Sequence, residues 1–147
     1  MTAARGDFRA FHAIATRWSD NDVYGHVNNT IFYSWFDTAV NTLLVERGLL
    51  DIGGGAVIGL VVETGCRYSR SVAFPEAVEA GVRIAHVGRS SIRWEVGIFT
   101  PRYDMAAATG FLMHVCVDRT SRRPMPLPEH WREALAPLVF LAPTAAE

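Results

Sequence analysis

Between residues 30 and 47 the apolar positions recur at the helical interval. Phe32, Trp35, Phe36, Ala39, Val40, Leu43 and Leu44 follow i, i+3, i+4, i+7 spacing and so share one face of a helix. Ser34, Asp37, Thr38, Asn41 and Glu46 fall on the other face, which makes the helix amphipathic. The pattern predicts a helix from Asn29 or Thr30 to Arg47, with Asn and Thr available to cap its start and Gly48 at its C′ position. Elsewhere the period shortens to two. Val78, Ala80, Val82 and Ile84 alternate with Glu79, Gly81, Arg83 and Ala85, and Ile92, Trp94, Val96 and Ile98 with Arg93, Glu95, Gly97 and Phe99. Further strands are expected over 8–18, over the Val- and Ile-rich 56–68, and over 105–119, where Phe111, Met113, Val115 and Val117 form one face. Residues 88–90 and 100–104 read as turns, and Gly53, Gly54 and Gly55 as a flexible connection able to let a segment move. Pro128 suits the first position of a short C-terminal helix holding Trp131, Ala134 and Leu135, which Pro137 interrupts.

The predicted order is strand, long helix, four strands, short helix. This is an α+β pattern in which the helix buries its stripe against one face of an antiparallel sheet. Apolar residues also occupy the second face, Val87 and Phe99 against Val82 and Trp94, and sheet edges need covering, so a homo-oligomer is expected.

Composition narrows the class. A chain of 147 residues, half of them hydrophobic and without repeats or low-complexity tracts, suits one domain over 1–147 with a core that needs neither disulfide nor metal. A net charge of −1 excludes a broad basic field for nucleic acid. No apolar run approaches the roughly 18 residues of a membrane span, and the first residues lack the apolar core of a signal peptide, so a cytoplasmic location is the simplest expectation. Cys66 and Cys116 sit in separate apolar runs and read as buried free thiols; a catalytic role would need His114 or another base beside one of them.

The chemistry concentrates just before the long helix. Residues 20–29 hold Asp20, Asn21, Asp22, His26, Asn28 and Asn29. An EF-hand reading fails, because the twelfth position from Asp20 is Ile31 and the fifth is Tyr24. A transition-metal site fails for want of a second His or Cys at ligand spacing, and no metal is expected. Asp20 and the asparagines suit loop scaffolding and capping. Asp22 is a second carboxylate that a turn does not require. His26 reads as a structural imidazole or as a base. The unpaired N–H groups of a helix start favour negative charge, so a carbonyl polarised near Asn29 and attacked by Asp22, or by water that Asp22 activates, amounts to acyl transfer to water.

Residues 18–37, WSDNDVYGHVNNTIFYSWFD, resemble the D-x-D-x-x-G-H-V-N-N-x-x-Y-x-x-[WY]-[FM]-[DE] signature of hotdog-fold acyl-CoA thioesterases of the 4-hydroxybenzoyl-CoA thioesterase type. Residues 88–95, GRSSIRWE, resemble that family's G-x-S-S-x-x-[YW]-E hairpin, and 117–124 with Pro126, Leu127 and Pro128 resemble its tail. The resemblance implies a five-stranded antiparallel sheet, order 1-3-4-5-2, wrapped around one long central helix. It also implies dimers or dimers of dimers with the site at the dimer interface, Asp22 as catalytic carboxylate, and the Asn29 amide on the thioester oxygen. His26 and Asn29 stand where some members carry an apolar residue and a tyrosine or histidine, so an acid or base available there is missing here. His26 either replaces it in part or only shapes the loop.

On this basis the catalytic candidates are Asp22, His26 and Asn29. The substrate-binding candidates are Tyr24, Thr30 and Tyr33 beside them and Arg89, Ser90 and Ser91 at the nucleotide hairpin, with Arg67, Arg70 and Arg93 as further cations. Trp35 and Phe36 are either acyl pocket or core, and Arg119, Arg122 and Arg123 an exposed basic turn. No cofactor is implied beyond the coenzyme A of the substrate. An acyl carrier protein substrate, and a hotdog protein that binds acyl thioesters without catalysis, are the alternatives.

Overall fold

The computed structural model describes residues 3–141. In chain order it contains β1 (Ala10–Ala15), α1 (Asn29–Glu46), β2 (Val57–Tyr68), β3 (Ala77–Val87), β4 (Ser91–Phe99), β5 (Ala108–Asp118) and α2 (Glu129–Leu135). The five strands form one antiparallel sheet in the order β1-β3-β4-β5-β2. This is the hotdog arrangement. Every residue of the predicted helical stripe is buried, against Val78, Ala80, Val82 and Ile84 of β3 and Ile92, Trp94, Val96 and Ile98 of β4. Among the described residues, no helix is long and apolar enough to cross a membrane.

Helix and sheet approach closely at Gly110. A Cβ built there would lie 2.2 Å from the Phe36 ring, so the ring rests directly on the β5 backbone. Trp35 and Phe36 are therefore core, at 6 % and 0 % exposed. At the helix C-terminus, Gly48 has φ 71° and donates to the Val45 carbonyl while Leu49 donates to Leu44, which closes the last turn as the glycine foretold.

Four local expectations change. The first strand is shorter than 8–18, because Phe8 leaves it to pack edge-on to Phe99 and Arg17 turns to bind Asp20. On β5 the buried alternation is Ala108, Gly110, Leu112, His114 and Cys116, and Phe111 and Met113 face away from the helix. Pro128 is the N-cap residue of α2, one position before the helix, with Trp131 and Leu135 buried as expected. Finally, the glycine connection is pinned: the Arg119 guanidinium donates to the carbonyls of Asp51, Ile52 and Gly55. Arg119 is thus a clamp, and only Arg122 and Arg123 belong to an exposed basic turn.

Candidate active site

The loop before α1 is built on Asp20. Its carboxylate is buried and accepts the Arg17 main-chain N–H at 2.8 Å, Nε at 2.9 Å and a terminal guanidinium nitrogen at 2.7 Å. The Asp20 carbonyl accepts from Asn28 N–H, Val27 N–H donates to Val72, and the Asn21 side chain accepts from Phe74 N–H. These bonds tie the loop to the chain preceding β3. Asp20 is scaffolding, because every donor that reaches its carboxylate comes from one local residue.

Asp22 sits at the turn those bonds create. Its N–H donates to the His26 carbonyl, its own carbonyl accepts from Gly25, and Gly25 takes φ 83°, a backbone state that glycine adopts without penalty. One carboxylate oxygen accepts Tyr24 N–H at 2.9 Å, which leaves the other without a protein donor among the described residues. Next comes the cap. Asn28 Oδ1 accepts both the N–H and the hydroxyl of Thr30, at 3.0 and 2.9 Å, and the Asn28 carbonyl accepts from Ile31. The Asn29 N–H donates to no acceptor among the described residues. One carboxylate oxygen and one main-chain donor therefore remain open at the positive end of an 18-residue helix.

The other candidates divide. Tyr24 is 83 % exposed, with Val23 at 94 % and Trp18 at 82 % beside it, so the site opens through an apolar rim that no part of the described chain covers. His26 is exposed and contributes its carbonyl to the turn; its imidazole has no hydrogen bond among the described residues. Thr30 serves the cap. Tyr33 is half-buried, edge-on to Phe36 at 6.0 Å.

Residue spacing did not reveal Tyr68. From the end of β2 its hydroxyl donates to the Asn29 carbonyl at 2.7 Å, and its ring stands edge-on to Phe32 at 5.1 Å. Burial first, then the Cys66 thiol beside it, push the Tyr68 hydroxyl above its ordinary pKa, so it remains a donor and not a base. The Cys66 thiol is itself pushed up by burial, and Cys116 to about 11 by the same cause. Neither is an activated nucleophile.

Arg89, Ser90 and Ser91 lie elsewhere. Arg132 of α2 donates to the carbonyls of Gly88 and Arg89, Leu127 N–H to Arg89 and Cys116 N–H to Ser90, which fixes the hairpin. In register, Ser91 pairs with Val115 and Tyr68 with Ala108. Those rows are seven β5 residues apart, about 23 Å at a strand rise of about 3.3 Å per residue. Within one chain the hairpin and the Asp22 loop stand at opposite ends of the sheet. Of the further cations, Arg93 stacks on Phe111 on the outer face, Arg67 lines the same face, and Arg70 lies over Tyr103 with a bond to Thr100. None of the three joins Arg89. Among the described residues, no group of three His, Cys, Asp or Glu is placed to hold a metal.

His114 is buried on the helix-facing side, edge-on to Trp94 at 6.3 Å. Burial holds its imidazole below the ordinary 6.5, against the opposing pull of Asp37. The folded chain keeps His114 neutral where the unfolded chain takes up a proton. Stability therefore falls as pH drops below about 6.5 and goes on falling until the folded-state value is reached. The urea midpoint should drop between about pH 7.5 and 5.5, and drop less in His114→Gln. An equal drop in the variant would assign the acid sensitivity to other groups.

The profile of the thioesterase-like superfamily matches residues 16–135, most of the chain. The chain belongs to that superfamily. No curated protein matches it. The thioesterase-like fold is shared with the PA5185 protein of Pseudomonas aeruginosa PAO1, at 49 % identity over 97 % of this chain and 99 % of that one, TM-score 0.92. The PA2801 protein of P. aeruginosa is 28 % identical over 84 % and 95 %, TM-score 0.78. A DHNA-CoA thioesterase from Staphylococcus aureus, 21 % identical over 86 % and 88 %, TM-score 0.77, has the same fold.

Proposed function

We propose that this protein hydrolyses acyl-CoA thioesters, with Asp22 acting as general base or nucleophile and the Asn29 N–H receiving the thioester oxygen. The observation that carries this reading is the pairing of an open carboxylate oxygen with an open main-chain donor at one helix start. A carbonyl held by that N–H gains negative charge as the tetrahedral centre forms, and the helix terminus stabilises it there. Asp22 either takes a proton from the water that attacks the carbonyl, or attacks the carbonyl itself to form an acyl-aspartyl anhydride that water then cleaves. In both cases the thiolate leaves and takes up a proton, and the acid is released. Tyr68 holds the Asn29 carbonyl, so the residue whose N–H receives the oxygen is anchored from the sheet side through the peptide that follows it. His26 shapes the turn through its carbonyl. The reaction takes no cofactor beyond the substrate's own coenzyme A.

The working unit in this reading is a homodimer joined through β2. That strand is 12 residues long, lies at the sheet edge and exposes Leu60, Val61 and Val62, the last at 62 %. A long apolar edge is a template for a second strand. A two-fold axis beside β2 sets the Tyr68 end of one copy against the Val57 end of its partner. This bridges the 23 Å that separates loop from hairpin, so each site takes Asp22 from one copy and the Arg89 hairpin from the other. Thiol release from short, long and aromatic acyl-CoAs, with an acyl carrier protein thioester alongside, tests the activity; silence across all of them favours the non-catalytic alternative. Mixing inactive Asp22→Asn and Arg89→Ala chains tests the shared site. Half the dimers are then mixed with one intact site of two, so about a quarter of wild-type activity should return. A mixture no better than its components would place both groups in one chain's site and sink the dimer reading.

A further inference from the structure

The outer face of the sheet, which neither α1 nor the Asp22 loop touches, contains a cavity of about 520 Å3. We propose that it is a second ligand site, a slot for a flat aromatic anion such as an aryl carboxylate. Two glycines seat the rings that wall it. A Cβ at Gly97 of β4 would strike the Phe8 ring at 2.8 Å, and a Cβ at Gly65 of β2 would strike the Phe111 ring at 2.6 Å, so the two rings lie directly on those backbones. Only β5 lies between β4 and β2. Gly97 pairs through Thr109 with Arg67, two residues along β2 from Gly65, so two strand spacings and two residue steps, about 12 Å, separate the backbones on which the rings rest.

The charges say what the ring carries. The Arg83 guanidinium lies over Phe8 at 4.6 Å and is neutralised by Glu95 at 2.6 Å. Arg93 lies over Phe111 at 4.0 Å. Among the described residues neither Arg93 nor Arg67 forms an ion pair, so the lining, Arg67, Arg83, Arg93 and Glu95, has a surplus of two positive charges. Arginine presents a planar fork that matches a carboxylate, and aromatic walls exclude water from the contact. A cavity that is mostly apolar and has a few convergent polar groups fits a small molecule better than a peptide. Glycine backbones and guanidinium groups cover the faces of Phe8 and Phe111, so it is their edges that meet the ligand. An anion without a ring leaves those apolar edges without a partner, and a neutral ring leaves Arg67 and Arg93 without a counter-charge. Only the combination satisfies both. The slot stands independently of the catalytic reading.

Calorimetric titration of the full chain with 2-naphthoate tests it. Saturable binding of one molecule per chain is expected, with 2-naphthamide, which lacks the charge, and inorganic phosphate, which lacks the ring, at least about tenfold weaker. Arg67 is exposed, so Arg67→Ala should fold normally and bind about tenfold more weakly, with Arg93→Gln as a second variant and Asp22→Asn binding as wild type. Absence of saturable binding overturns the proposal. Equal affinity for naphthamide or phosphate overturns the ligand class. Affinity unchanged in both arginine variants, or lost in Asp22→Asn, places the ligand elsewhere and overturns the site.

Discussion

Asp22→Asn is expected to lower kcat for acyl-CoA hydrolysis about a thousandfold and to leave the fold and the proposed dimer intact. The asparagine side-chain oxygen still accepts the Tyr24 N–H, so the turn through Gly25 keeps its shape. The neighbouring Asp20, which holds the loop, is untouched. What disappears is the charge on the oxygen that has no protein donor. A positioned base or nucleophile contributes about 10²- to 10⁴-fold, and an amide does neither job. KM should move little, because the acyl and nucleotide contacts remain. Thiol-release kinetics with size-exclusion chromatography and thermal unfolding on the same sample decide the matter. Activity within about threefold of wild type, from a folded dimer, removes Asp22 from the chemistry.

The largest effect on stability is expected at a position with no side chain. In Gly110→Ala the new methyl group would fall 2.2, 2.5 and 2.8 Å from three atoms of the Phe36 ring, and that ring is wholly buried under α1. It cannot swing to solvent. Either α1 lifts from β5 or Phe36 leaves its rotamer, and overpacking of this kind costs about 3 kcal/mol. For a chain of this length the melting temperature should fall by about 10 °C. Gly110→Ala with Phe36→Leu should recover part of the loss, because the smaller side chain frees the space that the methyl group needs. No recovery would mean that the strain lies in the β5 backbone and not in the ring contact.

These positions show where sequence periodicity was legible. The α1 stripe was fully readable, because one face of a helix repeats often enough to exclude other registers, and the strands of β3 and β4 were readable from clean alternation. On β5 both alternations carry apolar residues. The face with Phe111 and Met113 looks the more hydrophobic, yet the helix needs the face where Gly110 lets Phe36 approach. Apolarity alone cannot express that requirement, since it depends on the absence of a side chain.

The candidate site was half legible. Crowding of Asp20, Asp22 and the asparagines before a helix marked the loop, and Asn28 at the cap and Asp20 on Arg17 follow from ordinary local chemistry. Tyr68 did not show, because its bond to Asn29 joins positions 39 apart in the chain and no short-range spacing encodes it. The distance between Asp22 and Arg89 was equally hidden. Both belong to recognisable motifs, but only the strand register places them at opposite ends of the sheet.

The Arg119 clamp bears on how this chain becomes ordered. Three consecutive glycines after α1 supply almost no conformational preference of their own, and their shape is imposed by a guanidinium 64 to 68 positions later. Until β5 pairs with β2, the carbonyls at 52 and 55 have only water for a partner, and the Asp51 carbonyl only the Gly55 N–H of its own turn. The tether between helix and sheet is slack while the hairpins assemble and tightens as the final strand docks, so looseness early in folding and order in the finished molecule come from the same three residues.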